Sequence, residues 1–382
     1  MLSNTLHIGF DAHSIGTGLG GNETYASNLI EALAEVDTRN RYTLYVTKQE
    51  AVDRYAHRWP NVTVRKTLPH TPLIRIPLTL ATELRRRPVD ILHVQYTAPP
   101  LAPCDTVVMI HDLSFEHLPE TFKRRSWMQM RLTVRRTARS ASHVLTDSEY
   151  SRQDILRTYR LPPERVTTTP LAASSRFEPV HDRRVLEKYG IAGDYILAVG
   201  SIQPRKNIAR LIRSYTRMLS QHRGEAPKLV VVGKNAWLFK ETIRAAAVSS
   251  ASEHIVFTGY VPESELAALY TGALCFAYPS FFEGFGIPLL EAMRCGTPTI
   301  ASDRTCFPEV VGDASLIIDP FDEQSIADAL WRMVSDAGLR EQLRRRGFAR
   351  SRLFDWRDTA RLTLDVYEQV FHAKRQSRMT RI

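Results

Sequence analysis

The stretch AYPSFFEGFGIPLLEAMRCGTPTIASD, residues 277–303, reads as strand, loop, helix and strand. Leu274 to Tyr278 is a short apolar run suited to a buried strand. Pro279 to Gly286 is a loop with two glycines. Pro288 stands where a helix begins, and a first helical turn tolerates proline because its missing N–H has no partner there. Leu289, Leu290, Ala292 and Met293 suit the buried face of a short helix, which Gly296 ends. Thr297 to Ala301 is the next strand. Together they make one βαβ unit with a helix N-terminus at a loop mouth. Such an end carries unpaired N–H groups and partial positive charge, so it suits phosphate. Glu283 lies before that end and Glu291 inside the helix. Sugar hydroxyls need acceptors where phosphate does not, so the pattern reads as a site for a sugar linked to phosphate.

Glu283 and Glu291, with GFGIPLLEAM beginning between them, resemble the E-x7-E motif of family 4 retaining glycosyltransferases. The resemblance implies an α/β protein of the GT-B fold: two doubly wound, Rossmann-like parallel-sheet domains facing a deep cleft. It covers nearly the whole chain and is strongest from Asp194 to Asp319. The expected division is an acceptor-side domain over 1–178, completed by a C-terminal helix over about 356–382, and a nucleotide-sugar domain over 179–355.

The chain has 382 residues, enough for two domains. It is 43% hydrophobic and 24% charged, an ordinary soluble composition. Met1 to Phe10 has no charged n-region and no apolar h-region, so no signal peptide is expected. No run reaches the ~18 to 20 apolar residues of a spanning helix. Cys104, Cys275, Cys295 and Cys306 have no metal-site spacing and read as thiols of a reducing compartment. The expected location is cytoplasmic. The formal charge of +10 suits anionic ligands or a membrane surface. No zinc-finger, RRM or helix-turn-helix pattern points to nucleic acid. Nothing in the sequence indicates an oligomeric state.

Leu6 to Ala12 reads as a strand, followed by the loop GTGLGG and a helix from Tyr25 to Val36. Gly16, Gly18 and Gly21 satisfy GxGxxG, which raises an NAD(P)-dependent oxidoreductase as an alternative. Three residues separate the strand from Gly16, and the next strand ends in Lys48 and Gln49 rather than the acid a ribose requires. By the resemblance, Gly20 and Gly21 instead approach the donor pyrophosphate. Val107 to Ile110 is a strand with His111 and Asp112 at its C-terminal end, where open α/β sheets place ligands. HDLSF resembles the family's HD motif, whose histidine reaches the donor sugar, which makes His111 a catalytic candidate. Pro72 to Pro77 with Arg85, Arg86 and Arg87 reads as an apolar, basic patch. Lys123 to Arg139 holds seven cations, no acid, and interleaved Trp127, Met128, Met130, Leu132 and Val134. It suits either a solvated helix or an anionic membrane surface.

Tyr195 to Val199 is a strand ending in Gly200, and Arg205 and Lys206 follow in the loop. Cations at the C-terminal end of a parallel strand suit a pyrophosphate. VGSIQPRKN resembles the family's phosphate-binding segment. The resemblance adds Tyr260 and Val261 as the wall of the base pocket, and Gly284, Phe285, Gly286 and Ile287 as donor contacts. It implies that Glu291 holds the ribose and that Glu283 faces the transferred sugar. From their positions alone, losing Glu283 should leave nucleoside diphosphate affinity nearly unchanged.

The function these residues imply is a retaining hexosyltransferase, with Arg205, Lys206, His111 and Glu283 as the catalytic group. No metal and no cofactor are expected, because the cations meet the leaving diphosphate. HVQYTAPP and HDLSFEHLPE look like segments of bacterial mannosyltransferases of surface polysaccharide synthesis. They favour GDP-mannose over a UDP-sugar and a glycan or lipid-linked glycan acceptor. A non-catalytic sugar-nucleotide binder is the remaining alternative.

Overall fold

The structure is a computed structural model that describes residues 5–18, 20–222 and 226–379, with side chains described through 373. Leu19 of the glycine loop and the last three residues of the expected C-terminal helix lie outside the described residues. The chain forms two compact units. One comprises Met1–Leu113, Met128–Leu171 and Trp356–Ile382, and the other Ser114–Trp127 and Ala172–Asp355.

The first unit holds seven strands: β1 (His7–Asp11), β2 (Arg41–Val46), β3 (Val62–Lys66), β4 (Ile91–Gln95), β5 (Asp105–Met109), β6 (His143–Thr146) and β7 (Val166–Thr168). They form one sheet in the order β3-β2-β1-β4-β5-β6-β7, and every pairing is parallel. Strands buried on both faces of a parallel sheet read as continuous apolar runs, as Ile91, Leu92 and Val94 do here, all fully buried. The helix Gly21–Val36 packs against the C-terminal helix Trp356–Met379. From that helix Tyr367 Oη lies 2.6 Å from His93 Nδ1.

The second unit holds β8 (Tyr195–Val199), β9 (Lys228–Val232), β10 (Ile255–Gly259), β11 (Cys275–Tyr278), β12 (Thr299–Ser302) and β13 (Ser315–Ile318). Their order is β10-β9-β8-β11-β12-β13, again all parallel. Ile208–Gln221 buries Ile208, Leu211, Ile212, Tyr215 and Met218, the three-and-four spacing of a one-faced helix. That face joins Ile196, Ala198, Leu229, Val231, Ala277 and Leu330 in one core. Ser114–Trp127 belongs with this unit: Phe122 stacks on Trp237, whose indole N–H donates to the Thr121 carbonyl.

The decisive stretch forms β11, a loop, the helix Ile287–Arg294 and β12. The helix starts at Ile287, one residue before Pro288, and β12 starts two residues later than expected, at Thr299. The expected basic patch differs more. Pro72–Ile74, a π-helical turn Arg75–Leu80 and Ala81–Arg86 run on continuously, and Arg75 is completely buried. Asp11 draws it in, with Arg75 Nη1 2.7 Å from Asp11 Oδ1. Burial would raise the Asp11 carboxyl, but His13 and Arg75 hold it far below the usual range.

Both sheets reverse their strand order once, between β1 and β4 and between β8 and β11. Loops leaving the carboxyl ends of strands at such a point splay apart and leave a crevice for a ligand. Gly20 and Gly21 follow β1, Arg205 and Lys206 follow β8, and Glu283 follows β11, whereas His111 follows β5 and Tyr260 follows the edge strand β10.

Candidate active site

In the second unit, the loop after β8 carries Arg205 and Lys206, and the loop after β11 carries Glu283. Because β8 and β11 are neighbours, the two loops meet. Arg205 Nη1 lies 2.7 Å from Glu283 Oε2, and Lys206 Nζ lies 2.7 Å from Glu283 Oε1. Lys206 also donates to the Tyr278 hydroxyl, and Arg205 to the Phe282 carbonyl. Burial alone would raise the Glu283 carboxyl; Arg205 and Lys206 reverse that and bring it down to about 2. Asn207 holds the first loop in shape. It adopts φ 60°, and its Nδ2 donates to the carbonyls of Pro279 and Pro320 at 3.0 and 2.8 Å. Asparagine enters this left-handed region more readily than other non-glycine residues. His117 stacks on Phe282, with ring centroids 5.5 Å apart.

Gly286 precedes the helix Ile287–Arg294 with φ 92°, and no side chain caps the helix. A Cβ at Gly286 would lie 2.9 Å from Phe307 Cε1, so both the dihedral and the space require glycine. Phe285 is buried against Phe354, and Ile287 is buried too. Their backbones, not their side chains, are what a ligand would meet. Glu291 stands apart from the cation cluster in its partners. Its Oε2 accepts from Tyr270 Oη at 3.0 Å. Burial pushes its carboxyl up to about 8, against the pull of that hydrogen bond. Tyr260 is exposed, with Lys234 Nζ 4.2 Å from its ring centroid, and Val261 beside it is buried. Gly200 follows β8, 3.5 Å from Lys206 Cε when a Cβ is built on it.

His111 belongs to the first unit and follows β5. It is 11% exposed, with Nδ1 2.8 Å from Asp147 Oδ2 and Nε2 3.0 Å from Gln95 Oε1. Burial lowers its pKa, but the Asp147 carboxylate outweighs burial and the net shift is upward. Gly20 and Gly21 stand at the start of the helix Gly21–Val36, and a Cβ at either would meet nothing within 4 Å. Gly20 has φ 58° and ψ −127°. Gly16 and Gly18 differ from them: both amides donate to the Glu23 carboxylate, at 2.8 and 2.7 Å.

Residues 186–350 match the sequence model of glycosyl transferases group 1, and residues 19–173 that of glycosyltransferase family 4. The O-antigen chain mannosyltransferase B of Escherichia coli is 36% identical over 266 residues, covering 69% of this chain and 70% of that protein. The chain is a family 4 glycosyltransferase. The serotype-specific mannosyltransferase WbdA of Escherichia coli is 27% identical over 285 residues, 72% of this chain; the match spans 34% of WbdA. Sucrose-phosphate synthase from Thermosynechococcus elongatus shares the fold, with a TM-score of 0.76 at 19% identity, covering 96% of this chain and 100% of that one. The two parallel sheets of this glycosyltransferase are those of the GT-B fold.

Membership in a glycosyltransferase family removes the oxidoreductase alternative, and the geometry supplies a physical reason. A dinucleotide loop needs glycine amides that point at pyrophosphate, and here Glu23 takes two of them. Sequence reasoning missed Gln95, Asp147, Tyr270, Tyr278 and Asn207. Asp147 is not the cap of the helix that follows β6, since Ser148 is, accepting from the Ser151 amide. Its position at the end of β6, level with His111 at the end of β5, was the available clue.

Proposed function

We infer that this glycosyltransferase moves a mannosyl group from GDP-mannose to a glycan or lipid-linked glycan, with retention of configuration and without a metal. The buried cluster of Arg205, Lys206 and Glu283 carries the reading. Two cations at the carboxyl end of a central strand, held by one carboxylate, suit a diphosphate that arrives with more charge than Glu283 offers. The relatives named above as mannosyltransferases support the choice of sugar.

As the bond from the anomeric carbon to phosphate breaks, negative charge gathers on the leaving diphosphate. Arg205 and Lys206 stabilise it in place of a metal. A diphosphate that takes these cations frees the Glu283 carboxylate to accept from sugar hydroxyls. Glu291 accepts from the ribose, and the exposed Tyr260 ring stacks on the base. Gly20 and Gly21 leave open space for the pyrophosphate. The acceptor attacks from the face the phosphate leaves, and the phosphate oxygen takes the acceptor's proton.

Location at the cytoplasmic face of a membrane completes the proposal. No helix among the described residues is long and apolar enough to cross a membrane. The helix Arg124–Ser140 instead exposes Met128 (54%) and Leu132 (73%) among its arginines. Each cation near an anionic surface adds up to about 1 kcal/mol. Salt-sensitive sedimentation with anionic vesicles is the expected result, and none at low salt removes this part.

The deciding experiment is a panel of GDP- and UDP-sugars with release of nucleoside diphosphate as the readout. GDP-mannose should be turned over. Arg205→Ala and Lys206→Ala should each lower kcat more than nucleoside diphosphate affinity. Turnover of no sugar nucleotide would leave a non-catalytic binder, and preference for a UDP-sugar would replace the donor.

A further inference from the structure

His111 has both ring nitrogens committed, one to Asp147 Oδ2 and one to Gln95 Oε1. The orientation of the Gln95 amide is set by its other end. Its Nε2 lies 3.2 Å from the Asn22 carbonyl and 3.4 Å from Ser14 Oγ, and Ser14 Oγ itself donates to that carbonyl at 3.1 Å. A carbonyl only accepts, so Gln95 must present its N–H₂ there and its oxygen to His111. His111 Nε2 therefore donates. Nδ1 faces a carboxyl group, and one proton lies in that 2.8 Å contact. Burial shifts the Asp147 carboxyl upward, but the carboxylate in turn raises His111, and an imidazole's ordinary pKa starts about 2.6 above that of an aspartate, so the proton stays on the ring. An imidazole with both nitrogens protonated is an imidazolium.

The surroundings fit that state. Tyr25 and Tyr96 set ring edges and faces against the imidazole, with centroids 4.8 and 5.6 Å away. Ser151 donates to the His111 carbonyl at 3.1 Å, which fixes the backbone. Asp112, next in the chain, adds to the upward pull of Asp147. The neighbouring His93 is held neutral: burial carries its pKa down to about 3, and its nitrogens meet the hydroxyls of Tyr25 and Tyr367.

We propose that Asp147 and Gln95 are positioning residues that lock His111 as an imidazolium, so that it serves as a fixed cationic donor and never as a base. An oxygen of the sugar nucleotide that reaches Nε2 takes the place of Gln95 Oε1 and meets an N–H. That last step rests on the sugar-nucleotide reading; the charge state of the ring does not.

Histidines labelled with ¹⁵N in the ligand-free protein test the charge state directly, with His111→Gln to assign the resonance. At about pH 7, where a free imidazole is mostly neutral, both ring nitrogens of His111 should show protonated shifts. Asp147→Asn should return them to the neutral pattern, and Gln95→Leu should lower the titration midpoint. Turnover by Asp147→Asn should fall about tenfold or more, the loss of one charge-assisted hydrogen bond, with the loss in kcat rather than KM. A neutral His111 in the wild-type protein overturns the proposal, and that spectrum needs no variant to fold. Ring shifts unmoved by Asp147→Asn overturn it as well, as does a neutral ring with undiminished kcat. If the wild-type protein turns over no sugar nucleotide, the functional reading fails while the spectrum still decides the charge state.

Discussion

Glu283→Gln should destabilise the second unit and yet tighten its hold on a nucleoside diphosphate. In the structure both carboxylate oxygens of Glu283 are engaged, each 2.7 Å from a cation, and the side chains of Arg205, Lys206 and Glu283 are at most 14% exposed. Removing one partner of a buried ion pair costs about 3 to 5 kcal/mol. Glutamine keeps the size and one acceptor, so the lower end applies, about 3 kcal/mol. The carboxyl is held at about 2, below its ordinary 4.5. A group with a depressed pKa contributes stability above its unfolded value, which is lost as pH falls through the folded one. The wild-type protein should therefore lose stability between 4.5 and about 2 by a component that the variant lacks. A diphosphate entering the wild-type site must take the cations from Glu283, whereas in the variant they are already available. One charge-assisted bond, about 1.5 to 3 kcal/mol, corresponds to at least a tenfold fall in Kd. Thermal unfolding with and without GDP, and titration calorimetry, measure both effects. Unchanged stability together with unchanged or weaker affinity would refute the reasoning, because either the pairs do not form or the cations do not meet phosphate.

Nucleotide affinity should depend on Glu291 and on pH. Its carboxyl is pushed up to about 8, so the folded protein holds a proton that the unfolded chain releases, and this stabilisation falls as pH rises from 4.5 to about 8. Ribose hydroxyls want a carboxylate, so affinity should rise over the same window with proton release; calorimetry in two buffers reads it, and Glu291→Gln should bind weakly and flatten the profile. Gly286→Ala should lose about 1 to 3 kcal/mol through backbone strain and clash with Phe307, seen as a lower Tm and a raised donor KM. EDTA should leave turnover intact, and loss restored by Mg²⁺ or Mn²⁺ would show a metal at work.

The parts of this protein readable from its sequence are those whose causes are local. Residues 277–303 announce themselves because an apolar run, two glycines, a proline at a helix start and a second apolar run lie within one unit. Element ends moved by a residue or two, since where hydrogen bonding stops depends on neighbouring strands. Partners that come together across the sheet were hidden. Lys206 and Glu283 are 77 positions apart, and only the adjacency of β8 and β11 joins them. Position along the chain therefore suggested that Glu283 acts independently of the cations, and the ion pairs change the expected effect of its loss. Arg75 reads in the sequence as one cation of an apolar, basic patch because its partner, Asp11, lies 64 positions earlier. Tyr270 is a common residue type in a helix, and nothing nearby marks it as the partner of Glu291.

The anomeric configuration of the product tests the central claim most directly. GDP-mannose carries an α linkage, so the protein incubated with it and a mannose-terminated lipid-linked acceptor should yield a new mannosyl residue whose one-bond anomeric carbon–proton coupling is that of the α anomer. A β-linked mannose would contradict retention, and no transfer from GDP-mannose alongside transfer from another sugar nucleotide would contradict the donor.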